Sequence, residues 1–136
     1  MGSTGEKQIA VAKRYFASVN ETRLDDLAAV FAEDAVLTFP ALEPIRGRQN
    51  IRAFYAGVLE FYPKRHDGVT RWFVCENGDI AASIHFEGNT LTGRAVIFDA
   101  VDVFHIEDGT IRDLHIFYDS IQVARMVGDV PKQYLP

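Results

Sequence analysis

The stretch GRAVIFDAVDVFHIEDGTIRDLHIFY, residues 93–118, decides the fold. Two runs rich in Val, Ile and Phe, Gly93 to Ile106 and Thr110 to Tyr118, flank the pair Asp108-Gly109. β-Branched and aromatic side chains suit the pleated surface of a strand, and Asp-Gly tolerates the positive φ that a tight hairpin demands. The segment therefore predicts two long strands folded back on each other. Working outward, Val69 to Glu76 and Ile80 to Glu87 are further candidate strands, with Asn77-Gly78-Asp79 and Gly88-Asn89 as turns. Connections this short predict an antiparallel meander.

Ahead of the meander the period changes to that of a helix. Ile9, Ala12, Phe16 and Val19 mark one apolar face; Leu24, Leu27, Ala28 and Phe31 mark a second, shorter one. Thr22 and Asp25 resemble a capping box at the start of the second helix. Val36 to Phe39 reads as a short strand ended by Pro40, and 40–48 as a loop. Ile51, Phe54, Tyr55, Val58, Leu59 and Tyr62 give a third helix a wide apolar face, stopped by Pro63. Three N-terminal helices followed by long strands predict an α+β fold, a curved antiparallel sheet wrapped on the helices as a cone. Its open end is a natural pocket for a small, mostly apolar molecule.

Composition narrows the functions. The chain has 136 residues, enough for one domain, and a net charge of -5 with no basic stripe. That argues against nucleic acid, whose binding needs clustered Lys and Arg. No run approaches the ~20 apolar residues of a membrane span, and no signal peptide is expected. A lone cysteine, Cys75, permits no internal disulfide, reads as an inert core thiol, and suits a reducing cytoplasm. Met1-Gly2-Ser3 is left aside.

Arg14-Tyr15-Phe16-Ala17, Asn20, Leu24-Asp25, Leu27 and Phe31-Ala32-Glu33-Asp34-Ala35 resemble the opening of the ketosteroid-isomerase and SnoaL-like cyclase superfamily, also described as nuclear-transport-factor-2-like. The spacing of Gly47, Ile51 and Phe54-Tyr55 is similar too, as is the ending from Asp108-Gly109-Thr110-Ile111 to Tyr118-Asp119. The resemblance implies a single domain over 4–136, a conical fold with a deep apolar pocket, a homodimer formed through the outer face of the sheet, and, for the enzymes, no metal or organic cofactor. It is poor in information about the reaction.

Asp102 sits inside Val101-Asp102-Val103-Phe104, where a lone carboxylate is costly unless protonated or hydrogen-bonded. The resemblance aligns it with the protonated, donating Asp of the isomerase oxyanion hole, a case described for that relative, and Tyr15 with the tyrosine that donates to the same oxygen. The isomerase base falls on Phe39, which cannot take a proton. The resemblance offers Asp119 instead, the general base of SnoaL-like cyclases, with a helix or turn cap as the plain alternative. The arginine of epoxide-hydrolase relatives falls on Ala100. A two-residue turn at Asp108-Gly109 would put His115 opposite Asp102 and place Phe98, Ala100, Asp102, His115, Phe117 and Asp119 on one face; a bulge would break that set. His66, among Lys64, Arg65 and Asp67, reads as solvated surface; His85 suits a dimer face. No spacing resembles a metal site.

The expected function is a cofactor-independent acid–base enzyme acting on a hydrophobic carbonyl-bearing molecule, such as a polyketide or terpenoid intermediate, by cyclisation, isomerisation or elimination. Asp119 would be the base, Asp102 and Tyr15 donors to the oxyanion, His115 an orienting group, and Phe39, Tyr55, Phe98 and Phe117 pocket walls. A non-catalytic binding or dimerisation module and an epoxide hydrolase lacking its Arg are the alternatives.

Overall fold

The computed structural model describes residues 4–128; residues 129–136 of the expected domain lie outside it. Helix α1 spans Thr4–Asn20 and α2 spans Leu24–Ala29. Strand β1 (Phe31–Thr38) and the short β2 (Ile45–Arg46) precede α3 (Arg48–Phe61). Then come β3 (Lys64–Val74), β4 (Ile80–Asn89), β5 (Ala95–Glu107), β6 (Thr110–Phe117) and α4 (Ser120–Val127).

The strands form one six-stranded sheet in the order β2-β1-β6-β5-β4-β3. β3 to β6 make the expected antiparallel meander. β1 adds to β6 in parallel, and β2 pairs antiparallel with β1. Alternation along the strands gives the sheet one buried, concave face: Ile80, Ala82, Ile84 and Phe86 on β4, Ala100, Asp102 and Phe104 on β5, Leu114 and Ile116 on β6. α1 and α3 pack against it through Val11, Ala12, Tyr15, Phe16, Ile51, Tyr55 and Leu59. The fold is the expected α+β cone, with a curved and unclosed sheet.

Local chemistry accounts for several elements. Asp108 and Gly109 both have positive φ, 51° and 75°, as a two-residue hairpin turn requires. Gly47 enters α3 at φ 92°, where its amide bonds the Ala35 carbonyl at 2.8 Å.

The structure departs from the sequence reading at particular places. Phe31 begins β1 rather than ending α2, because β1 runs in from the buried side as Phe31-Ala32. Thr22 does not cap α2: the cap position is Arg23, with no side-chain cap bond, and the Thr22 hydroxyl lies within hydrogen-bond reach of the Arg65 guanidinium at 2.6 Å. Cys75 is exposed, not core, since it follows β3 in a turn closed by its own amide on Asp79. β3 starts five residues earlier than expected, at Lys64, so His66 and Asp67 lie on a strand.

The register of β6 is the main correction. Glu107 pairs with Thr110 and Ile106 with Ile111, but His105 pairs with Asp113. Arg112 is thus an extra residue, a β-bulge that shifts every later pair by one. Asp102 faces Ile116, while His115 faces Val103 on the convex side.

Candidate active site

A cavity of about 430 Å³ lies between the concave sheet and the helices. Its inner end belongs to the main core. There Tyr15 from α1 and Tyr55 from α3, 2% and 3% exposed, bring their hydroxyls to 2.5 Å. Their rings meet edge-on, with centroids 5.9 Å apart. Asp102 of β5, 4% exposed, lines the same end. No hydrogen bond to its carboxyl is found among the described residues. Burial pushes its pKa well above the usual carboxylate range, and the charge of Asp67 pushes the same way. Burial also raises both tyrosines well above their ordinary value. Burial at the inner end therefore favours the protonated form of Asp102 and the neutral form of both hydroxyls. One tyrosine proton is used inside the pair, which leaves one hydroxyl and one carboxyl to donate to a ligand oxygen.

The middle of the cavity is ringed by aromatic side chains. Phe54 touches Phe39 at 5.0 Å between centroids, Phe39 touches Tyr118 at 5.6 Å, and Tyr118 touches Phe98 at 4.8 Å. Phe98 stacks on Phe86 at 4.8 Å, Phe86 meets Tyr62 at 5.1 Å, and Tyr62 meets Phe61 at 4.8 Å. The arc begins and ends on α3, because Phe54 and Phe61 are about two helical turns apart. Apolar surface of this kind binds hydrophobic ligands and excludes water.

Asp67 completes the wall. It sits on β3 opposite Phe86, at the level of the collar, and lines the cavity. The side chain of Asn20 pins its backbone, accepting from the Asp67 amide at 2.8 Å and donating to its carbonyl at 3.0 Å. Its carboxylate makes no hydrogen bond among the described residues. Burial pushes its pKa up to about 6, against the opposing pull of His66 and Arg65. Arg65 also lines the cavity, but its guanidinium is bonded to the carbonyls of Tyr62 and Val19.

The structure brings Tyr15, Tyr55, Asp102, Phe39 and Phe98 together on this cavity. It does not bring the other three. His115 lies on the convex face, stacked on Phe117 at 3.9 Å. Phe117 is 49% exposed there, for the same reason of register. Asp119 is exposed and accepts the Gln122 amide at 3.0 Å, so it caps α4 and forms no part of the cavity wall. Asp67 is the residue sequence reasoning missed. Its signal was alternation with Val69 across Gly68, hidden by the neighbouring charges Lys64, Arg65 and His66. The described residues hold no cluster fit to bind a metal ion.

Solved structures share this architecture. A protein from Jannaschia sp. CCS1, named provisionally as a SnoaL-like polyketide cyclase, superposes with a TM-score of 0.84 at 16% identity, over 96% of this chain and 98% of that one. A hypothetical protein with a ketosteroid isomerase-like fold from Catenulispora acidiphila, in complex with trimethylamine, gives 0.78 at 16% identity, over 93% and 97%. TerC, co-crystallised with polyporic acid, gives 0.80 at 12% identity, over 90% and 99%. At such identities the likeness shows the fold. The family model described as the SnoaL-like domain matches residues 12–114, and the chain belongs to that family.

Proposed function

We propose that the protein is a cofactor-independent acid–base enzyme of the cyclase or isomerase type, acting on a hydrophobic carbonyl-bearing small molecule. One observation carries this reading: a buried carboxyl, Asp102, whose burial favours its protonated form, shares the inner end of an aromatic cavity with a hydrogen-bonded tyrosine pair. Donors fixed in a dry site stabilise negative charge as it develops on a ligand oxygen, and they need no reorganisation to do so. A carbonyl oxygen seated there is polarised, the neighbouring C–H becomes acidic, and the enolate can close a ring, shift a double bond or expel a leaving group. Ala100 stands where epoxide-hydrolase relatives would carry their arginine, and Arg65, elsewhere on the wall, is engaged with backbone carbonyls.

The test is deuterium exchange into a bicyclic ketone such as 2-tetralone, followed by NMR. Wild-type protein should accelerate exchange above buffer, and Asp102→Asn should lower the rate by about a hundredfold. Tyr15→Phe should act in the same direction. Binding of 2-naphthol, a planar mimic of the enol, without any exchange of the ketone would instead make the chain a binding module.

The homodimer belongs to this proposal as well. Phe73, Ile97, Val101 and Phe117 are 39–50% exposed on or beside the convex face, which suits a second copy laid on the sheet. The single thiol and the absence, among the described residues, of a helix long and apolar enough to cross a membrane are compatible with the cytoplasmic placement.

A further inference from the structure

We propose that Asp67 is the base of this site, the group that takes the proton from the carbon beside the polarised carbonyl. The inference rests on reading the cavity as an acid–base site and supplies the group that reading lacks. Among the described residues, and apart from tyrosines, the ionisable side chains on the cavity wall are Asp67, Asp102 and Arg65. Arg65 is always protonated and its guanidinium is engaged with backbone carbonyls. At the inner end, burial favours the protonated form of Asp102, which donates rather than accepts. Asp67 is the remaining carboxylate.

Its placement suits the task. Asp67 faces Phe86 across β3 and β4, and Phe86 faces Phe98 across β4 and β5. Asp102 faces Ala82, four residues further along β4 towards the core. The donors therefore hold a ligand's oxygen at the inner end while Asp67 addresses its carbon skeleton at the collar. The two bonds from Asn20 fix the Asp67 backbone on β3, the edge strand of the sheet among the described residues. The carboxylate itself is left without a hydrogen bond among the described residues, so both oxygens are open to a proton. Burial raises its basicity and still leaves it ionised at neutral pH, the compromise a general base needs.

The step balances within the site. The C–H bond breaks, its proton goes to an Asp67 carboxylate oxygen, and the electron pair moves through the new C=C bond to the carbonyl oxygen. That oxyanion accepts hydrogen bonds from the Asp102 carboxyl and the free tyrosine hydroxyl. Asp67 then returns the proton at a different carbon, or delivers it to a leaving group.

The experiment uses the same ketone exchange, with 2-naphthol binding as the check on folding and on the donor end. The wild-type rate should rise through a midpoint near pH 6 and then level. Asp67→Asn should exchange at least about a hundredfold more slowly while binding 2-naphthol within about threefold of wild type. If that variant fails to fold, Asp67→Ala is assayed with added formate, and a rate that climbs with formate supports the assignment. Exchange within about threefold of wild type in a folded Asp67→Asn protein overturns it, as does a wild-type rate flat from about pH 5 to pH 7. In both cases the donor end survives if Asp102→Asn is still impaired. Absence of exchange in the wild type sinks the acid–base reading itself.

Discussion

Asp67 and Asp102 are the same side chain on one cavity wall, yet only Asp102 was legible in the sequence. Asp102 interrupts an apolar run whose neighbours must be buried, so its cost was visible. Asp67 follows three basic or titratable residues on an edge strand whose outer face is wet, and its alternation was lost among them. The raised pKa of Asp67 has a thermodynamic sign. A carboxyl at about 6 in the folded state and 3.8 unfolded binds more protons when folded between those values. The stability it contributes is full below pH 3.8 and is lost as pH rises through 6. Asp67→Asn should therefore be more stable than wild type at pH 7, by up to about 3 kcal/mol, with little difference near pH 4. Urea unfolding at the two pH values measures this, and equal midpoints at pH 7 would refute the burial cost. Asp119 plays a different part. Its carboxylate caps α4, so Asp119→Ala should cost about 1 kcal/mol in stability and leave exchange of the ketone unchanged.

The elements were easier to read than their registers. Helix and strand order follows from periodicity and from turns such as Asp108-Gly109, whose conformation the structure shares with the sequence reading. The parallel joining of β1 to β6 is a contact across more than 70 residues, which no local pattern encodes. The bulge at Arg112 is equally silent, because one extra residue in a strand leaves composition and alternation nearly intact. Its effect is large: it decides that Leu114 faces the core and Ile116 the cavity while His115 and Phe117 face out. Deleting Arg112 should remove the bulge and leave every later pair in place, with His115 and Phe117 still facing out. The variant should keep its buried pairs and bind 2-naphthol within about threefold of wild type by fluorescence titration, whereas a one-residue slip that turned His115 and Phe117 inward would abolish binding.

At the scale of the molecule, the cone separates two surfaces with different jobs. The concave face carries the cavity; the convex face carries Val101 and Phe117 among paired polar groups, such as His85 with Asp99 at 2.9 Å and His105 with Asp79 at 2.7 Å. If a second copy lies there, Val101→Glu should give a monomer by sedimentation, since burying an unpaired charge at an interface costs several kcal/mol. Cavity binding should survive that change, because the substituted side chain points away from it.

The collar of rings starts and ends on one helix, and α3 is tied down by Arg48 on the Phe31 carbonyl and Arg52 on Asp25. A bulky guest then cannot pass by the turning of one ring alone, since each ring leans on the next. Its entry and exit should then follow small excursions of α3. Loosening that anchor, as in Arg48→Ala, should shorten the residence time of 2-naphthol more than it alters the strength with which the occupied cavity holds it, a difference that stopped-flow fluorescence resolves.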